Sequence, residues 1–290
     1  MATFRDMLEE ELNRVEDLPV FPPVLGRLTQ ALASEKTGAE DVAQILAQDP
    51  ALTARLLRVA NSVYYAATTA GVSSVTHAVA RLGFREISRL FTALTVIRTF
   101  DQMGRHLDHD QFWKHSLTAG ITTRVIKRYC GAADPFSEDD AYVAGLLHDI
   151  GVLVLDQHFP ALYVEVNAVA RRECISRADA ERLVLGIDHG EIAGQLFRRW
   201  RIPSPVAQAV TWHHQPGQAE PGCRTLVAVV HLADSICGGL GVGDAGSGAC
   251  SGFSDVAWHV LGLSVDDLPA IIREVAEEAA RSETLVALAK

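Results

Sequence analysis

Ala141-Tyr142-Val143-Ala144-Gly145-Leu146-Leu147-His148-Asp149-Ile150-Gly151-Val152-Leu153-Val154-Leu155 is the stretch on which the reading of this chain turns. Its residues are apolar on nearly every face of a helix, and a helix apolar all round belongs in a protein core. It is too short, and with His148 and Asp149 too polar, to cross a bilayer. An ionised carboxylate inside such a segment is costly unless it is paired, hydrogen-bonded or bound to a cation. Two readings satisfy Asp149: it caps a neighbouring helix while His148 donates to a carbonyl, or the pair ligates a metal ion.

Outward from this segment, apolar residues recur at spacings of three and four, and no stretch sustains period-two alternation bounded by hairpin turns. The fold class is therefore all-α, a multi-helical arrangement. Helices are predicted over residues 3–15, 22–34, 39–48, 50–63, 73–82, 84–100, 109–130, 138–158, 160–173, 178–185, 188–200, 204–213, 223–238 and 265–280. Ser137 followed by Glu138, Asp139 and Asp140 is a side-chain cap with acids at the positive helix end. Pro22-Pro23, Pro160, Pro203 and Pro205 suit first-turn positions. The polar stretch Asp101 to Asp110 and the glycine-rich run Gly238 to Gly252 mark boundaries. The expected division is an N-terminal helical lobe over 1–100, a second lobe with the candidate metal site over 101–238, and a flexible loop with a helical C-terminal extension over 239–290.

With 290 residues, 48% of them hydrophobic, the chain can bury a sizeable core. A formal charge of −10 argues against recruitment of nucleic acid, which calls for a basic surface. Five dispersed cysteines (Cys130, Cys174, Cys223, Cys237, Cys250) form no Cys-x-x-Cys pair and fit free thiols in a reducing compartment. The N-terminal residues lack the basic-then-apolar layout of a signal peptide, and no span of membrane length is present. The expected location is the cytoplasm, with no membrane partner.

Residues able to join His148 and Asp149 recur on other helices. His115 lies three residues after Phe112 and four before Ala119, on an inward face. His189 precedes Ile192, Ala193 and Leu196, and Asp234 shares a side with Val227 and Val230. His213-His214 ends a helix; adjacent helical residues point about 100° apart, so His213 is favoured and His214 kept as an additional ligand. Imidazoles and carboxylates converging from separate helices can bind one or two divalent first-row ions, iron, manganese, zinc, nickel or cobalt alike. Arg198, Arg199 and Arg201 form a basic cluster that is either a solvated helix end or a seat for an anionic small ligand. Trp113, Trp200, Trp212 and Trp258 read as packing residues, and Asn61-Ser62 as a turn or cap.

His148-Asp149-Ile150-Gly151, with His115 upstream and His189, His213-His214 and Asp234 downstream, resembles the ordered ligand series of the HD superfamily, its HD-GYP branch above all. The N-terminal half resembles HDOD proteins in Leu18-Pro19-Val20-Phe21-Pro22-Pro23, Gln48-Asp49-Pro50-Ala51-Leu52, Leu56-Leu57-Arg58-Val59-Ala60-Asn61-Ser62 and Ala78-Val79-Ala80-Arg81-Leu82-Gly83. Trp200-Arg201-Ile202-Pro203 leading to His213-His214 closes that family's stretch, so the resemblance covers about residues 15 to 215.

The resemblance implies an HD-like helical lobe packed with an N-terminal one, and a signalling module that meets other signalling proteins. HDOD proteins have generally lost or only partly kept the metal site, whereas this chain keeps a candidate ligand at every main position. It departs from HD-GYP hydrolases in carrying Val152 where they have a lysine, and Gln215-Pro216-Gly217-Gln218 in place of their Gly-Tyr-Pro signature. The alternative implied is an active metal-dependent phosphohydrolase in which His115, His148, Asp149, His189, His213 and Asp234 hold the metals. No receiver, sensor or output domain is read in the sequence.

Overall fold

The computed structural model describes residues 4–15, 22, 24, 26–27, 31, 38–46, 48–62, 65, 71–100, 103–104, 106–130, 136–202, 204–242 and 252–289. Most of the expected helix over 22–34, most of the 239–252 loop and Cys250 lie outside these residues. Among the described residues the chain is helical and carries no strand. No helix among them is long and apolar enough to cross a membrane. The chain clusters into two compact units: residues 1–18 with 103–277, and residues 19–102 with 278–290.

After α1 (Phe4–Arg14), which belongs to the larger unit, the smaller unit contains α2 (Ala39–Leu46), α3 (Pro50–Ala60), α4 (Val75–Leu82) and α5 (Phe84–Phe100). Each has a chemical start or stop. The Asp49 carboxylate caps α3 by accepting from the Leu52 amide at 3.0 Å, with Pro50 in the first turn, and pairs with Arg98 of α5 at 2.5 Å. Asn61 closes the loop after α3 by accepting from the Val72 amide and donating to the Val72 and Leu57 carbonyls. Leu52, Leu56, Val59, Ala78, Ile87, Leu90 and Phe91 form this unit's core.

The larger unit holds α1 (Phe4–Arg14), whose buried side is Leu8 and Leu12. Arg199 donates to the Leu12 and Val15 carbonyls at the end of α1, so this member of the basic cluster serves as a helix-end cation. The centre is α6 (His109–Tyr129), buried from Phe112 to Ile126 along most of its length and flanked by α7 (Glu138–Leu147) and α13 (Arg224–Gly239). Around it run α8 (Ile150–His158), α9 (Pro160–Glu173), α10 (Arg177–Leu185), α11 (His189–Trp200) and α12 (Ser204–Trp212); α14 (Asp255–Leu261) packs on α13, and α15 (Leu268–Ala289) belongs to this unit as far as residue 277.

The helix expected over 138–158 is two helices, with His148 and Asp149 in the turn between them. The Val152 amide closes the turn on the Asp149 carbonyl at 2.8 Å. Apolar residues on both sides of that turn hide the break from a periodicity argument. Glycines then set the approach of the helices that meet there. A Cβ at Gly145 would lie 2.7 Å from the Thr123 side chain of α6, and one at Gly151 would lie 2.0 Å from the His189 carbonyl oxygen of α11. Only a residue without a side chain lets these backbones close to this distance. The described cysteines are free, Cys223 and Cys237 buried and Cys174 exposed.

Candidate metal centre

Five helix ends or faces bring the seven candidate residues to one place inside the larger unit. His115 comes from the second turn of α6, His148 and Asp149 from the α7–α8 turn, His189 from the first position of α11, His213 and His214 from the turn after α12, and Asp234 from α13. His213 and His214 follow the helix instead of continuing it, so the angular argument that separates neighbours on a helix does not apply. Both rings face the cluster, their centroids 3.9 Å apart.

Asp149 is the hub. Its Oδ1 lies 3.2 Å from His148 Nε2, 3.0 Å from His189 Nε2 and 3.8 Å from His213 Nε2, while its Oδ2 lies 3.5 Å from His115 Nε2. Asp234 Oδ1 lies 3.3 Å from His115 Nε2 and 3.7 Å from His148 Nε2, and its Oδ2 lies 4.0 Å from His214 Nδ1. Ring meets ring directly at His115 Nε2–His148 Nε2, 3.2 Å, and His214 Nε2–His189 Nε2, 2.9 Å.

Of the two sequence readings for this pair, capping fails for Asp149: it precedes α8, yet its side chain makes no capping hydrogen bond. His148 does donate through Nδ1 to the Gly145 carbonyl at 2.7 Å, and this leaves Nε2 free for the cluster. His213 repeats the device, donating Nδ1–H to the Val210 carbonyl at 2.7 Å. His115 donates Nδ1–H to the Val242 carbonyl at 3.1 Å. His189 donates Nδ1–H to Glu181 Oε2 at 2.7 Å. A carbonyl or carboxylate oxygen only accepts, so in each neutral ring the Nε2 lone pair points inward, the tautomer a metal ligand needs.

Burial and charge divide the rings. Burial opposes the charging of His115, yet its hydrogen bond with Asp234 and the nearby Asp149 charge raise it to about 9. Burial likewise opposes charging of His189, and the flanking Glu181 and Asp149 carboxylates overcome it. Burial, reinforced by neighbouring imidazoles, pushes His213 and His214 well below the ordinary range. Against burial, the surrounding histidines hold Asp149 and Asp234 well below the usual carboxylate range.

Donor atoms fall into overlapping groups whose members lie within 4.8 Å of one another: Asp149, His189, His213 and His214; His115, His148 and Asp149; His148, His213 and Asp234. Ligands on opposite sides of an ion, each about 2.1 Å from it, are about 4.2 Å apart, so these groups have the dimensions of coordination shells. His213 Nε2 is fully buried and has no hydrogen-bond partner. Leaving such an acceptor unsatisfied costs about 1–3 kcal/mol, and a cation among these donors would satisfy it.

Sequence reasoning missed Glu181. It lies three residues after Ala178 and four before Leu185, both buried, so a carboxylate on that apolar face of α10 was the available signal. His231 links the site to the chain beyond it: Nδ1–H donates to the His213 carbonyl at 2.7 Å, and Nε2 accepts from the Ser254 amide at 3.0 Å.

An all-helical protein with a histidine–aspartate cluster at a helix–helix turn is the class that this fold and geometry define. The HDOD domain family profile matches residues 18–216, and the chain belongs to that family. A Geobacter sulfurreducens HDOD domain protein of unknown function superposes with a TM-score of 0.81 over 97% of this chain and 96% of its own, at 25% identity. A Marinobacter aquaeolei VT8 protein, provisionally named for signal transduction, matches with a TM-score of 0.81 over 99% of this chain and 65% of that one, at 24% identity. A Shewanella amazonensis SB2B protein, provisionally named a phosphohydrolase, has a TM-score of 0.73 over 96% of this chain and 97% of its own, at 24% identity. An uncharacterized Treponema pallidum (strain Nichols) protein is 23% identical over 222 residues, 77% of this chain and 42% of that protein, so the chain spans less than half of this relative.

Proposed function

We propose that this chain is a cytoplasmic HDOD signalling module that holds one or two divalent transition-metal ions through His115, His148, Asp149, His189, His213, His214 and Asp234. It acts mainly through contacts with other signalling proteins. The observation that carries the metal reading is the buried, unsatisfied His213 Nε2 facing a cluster in which His115, His148 and His189 also present Nε2 inward. One ion would be held by His115, His148 and Asp149, with Asp234 beside them, and the other by Asp149, His189, His213 and His214. When bound, such ions supply Lewis-acid charge.

Switching is favoured over turnover because the lysine that HD-GYP hydrolases carry after the His-Asp-Ile-Gly motif is replaced here by Val152. Val152 is fully buried where a hydrolase of the HD-GYP type has lysine, and among the described residues no lysine or arginine forms an ion pair with Asp149 or Asp234. The phosphohydrolase reading is supported by the shared carboxylate of the two ligand groups.

Elemental analysis of wild type and Asp149→Ala, both purified without chelator, tests the proposal. One or two equivalents of a transition metal in wild type, lost in a folded Asp149→Ala protein, is expected. A wild type without stoichiometric metal refutes it. A screen of phosphate esters on the loaded protein separates the two modes: no turnover is expected, and turnover abolished by Asp149→Ala makes the chain an enzyme.

A further inference from the structure

Glu181 is fully buried, and one of its oxygens does two things at once. Oε2 accepts from the His189 backbone amide and from His189 Nδ1–H, each at 2.7 Å. His189 opens α11, so its amide is among those a helix leaves unbonded. Ring and backbone of one residue are thus pinned to a single atom, and the pinned ring holds Nε2 3.0 Å from Asp149 Oδ1. The other anchored rings rest on neutral carbonyls, those of Val242, Gly145 and Val210. His189 alone among these four rests on a carboxylate. Carboxylate backing fixes a ligand's tautomer and orientation and strengthens its donor nitrogen.

Charge makes the difference matter. Beside His115 and His148 stand two carboxylates, Asp149 and Asp234, within 3.2–3.7 Å of their Nε2 atoms. The group Asp149, His189, His213 and His214 contains one carboxylate, and Asp234 comes no nearer to His214 than 4.0 Å. Resting on the two-ion reading above, we propose that Glu181 is the positioning residue for the second ion: acting through His189, it gives that group the negative charge Asp234 gives the first.

Titration of metal-free protein with Mn²⁺ by calorimetry, with elemental analysis after gel filtration, tests this on wild type, Glu181→Gln, Glu181→Asp and the double variant Glu181→Gln/His189→Ala beside His189→Ala. Wild type is expected to show two binding events. Glu181→Gln keeps the first unchanged and weakens the second by roughly 10–100-fold. Glu181→Asp, which keeps the charge at a shorter reach, recovers part of that loss and also serves should Glu181→Gln not fold. In the His189→Ala background, Glu181→Gln has no further effect on metal. Two wild-type-like events in Glu181→Gln overturn the inference while leaving the metal reading intact, and so does equal weakening of both, as a merely structural role would give. A wild type that takes up no Mn²⁺ overturns the metal reading and the inference together.

Discussion

Replacing Gly151 by alanine sets two effects of opposite sign against each other. Gly151 is the second residue of α8, and alanine is the better helix former by about 1 kcal/mol. Its Cβ would stand 2.0 Å from the His189 carbonyl oxygen, 2.8 Å from the His189 carbonyl carbon and 3.1 Å from the Ala193 amide nitrogen. All three are backbone atoms, so no side-chain rotation relieves the clash. Restoring an ordinary contact of 3.4 Å moves α8 and α11 apart by roughly 1.4 Å, and overpacking of this kind costs about 1–3 kcal/mol. With a contact as short as 2.0 Å the clash falls at the upper end of that range and exceeds the propensity gain, giving a net loss of up to about 2 kcal/mol. The same displacement pulls His189 Nε2 from its 3.0 Å approach to Asp149, so the second metal position weakens more than the first. Urea unfolding of the metal-free proteins, followed by Mn²⁺ titration, measures both. A Gly151→Ala midpoint equal to or above wild type, or unaltered uptake of both ions, would refute the reasoning.

Three further outcomes are expected. Asp49→Ala loses the cap of α3 and the pair with Arg98, costing about 1 kcal/mol in denaturant unfolding. The Arg98 hydrogen bond, against some burial and with help from the Leu52 amide, holds the Asp49 carboxyl below its ordinary value; its contribution is complete above the unfolded pKa of 3.8 and disappears as pH falls through the folded one. The gap between wild type and Asp49→Ala should therefore close in acid, and a gap independent of pH contradicts the assignment. Mn²⁺ at a hundred times its dissociation constant stabilises wild type by about 2.7 kcal/mol, read as a rise in melting temperature that chelator reverses and Asp149→Ala lacks. Burial pushes the Cys237 thiol up to about 12, so a maleimide at neutral pH should modify exposed Cys174 in the native protein and reach Cys237 only after unfolding, as peptide mass mapping would show.

The all-α class was open to reading because helical periodicity is a local property, repeated in nearly every segment. For His115, His189 and Asp234 a polar side chain on an otherwise apolar face was a hint, since a buried polar group needs a partner; that these three and His148, Asp149, His213 and His214 form one set was what the resemblance to the HD ligand series implied. What stayed hidden depends on backbone or on distance. The Val242 carbonyl that anchors His115 is 127 positions away and carries no side-chain signature. The turn at His148-Asp149 is hidden because Ile150 to Leu155 is as apolar as the residues before it. Glu181 was within reach, since it breaks the apolar face of α10 as plainly as His189 breaks that of α11. Likewise α14 falls in a segment whose only sequence cue, Asp255 to Leu261, is two turns long.

His148 and His213 are each aimed by the carbonyl three residues behind them, at Gly145 and Val210, within their own short stretch of chain. His115 and His189 are aimed by residues that arrive from elsewhere, Val242 and Glu181. The two pairs therefore depend on different things: His148 and His213 keep their direction as long as their own helix ends are intact, whereas His115 and His189 keep theirs only while Val242 and Glu181, distant in sequence, stay packed against them. Loosening of the tertiary structure that spares the helices would turn away two of the four anchored rings and leave the other two in place.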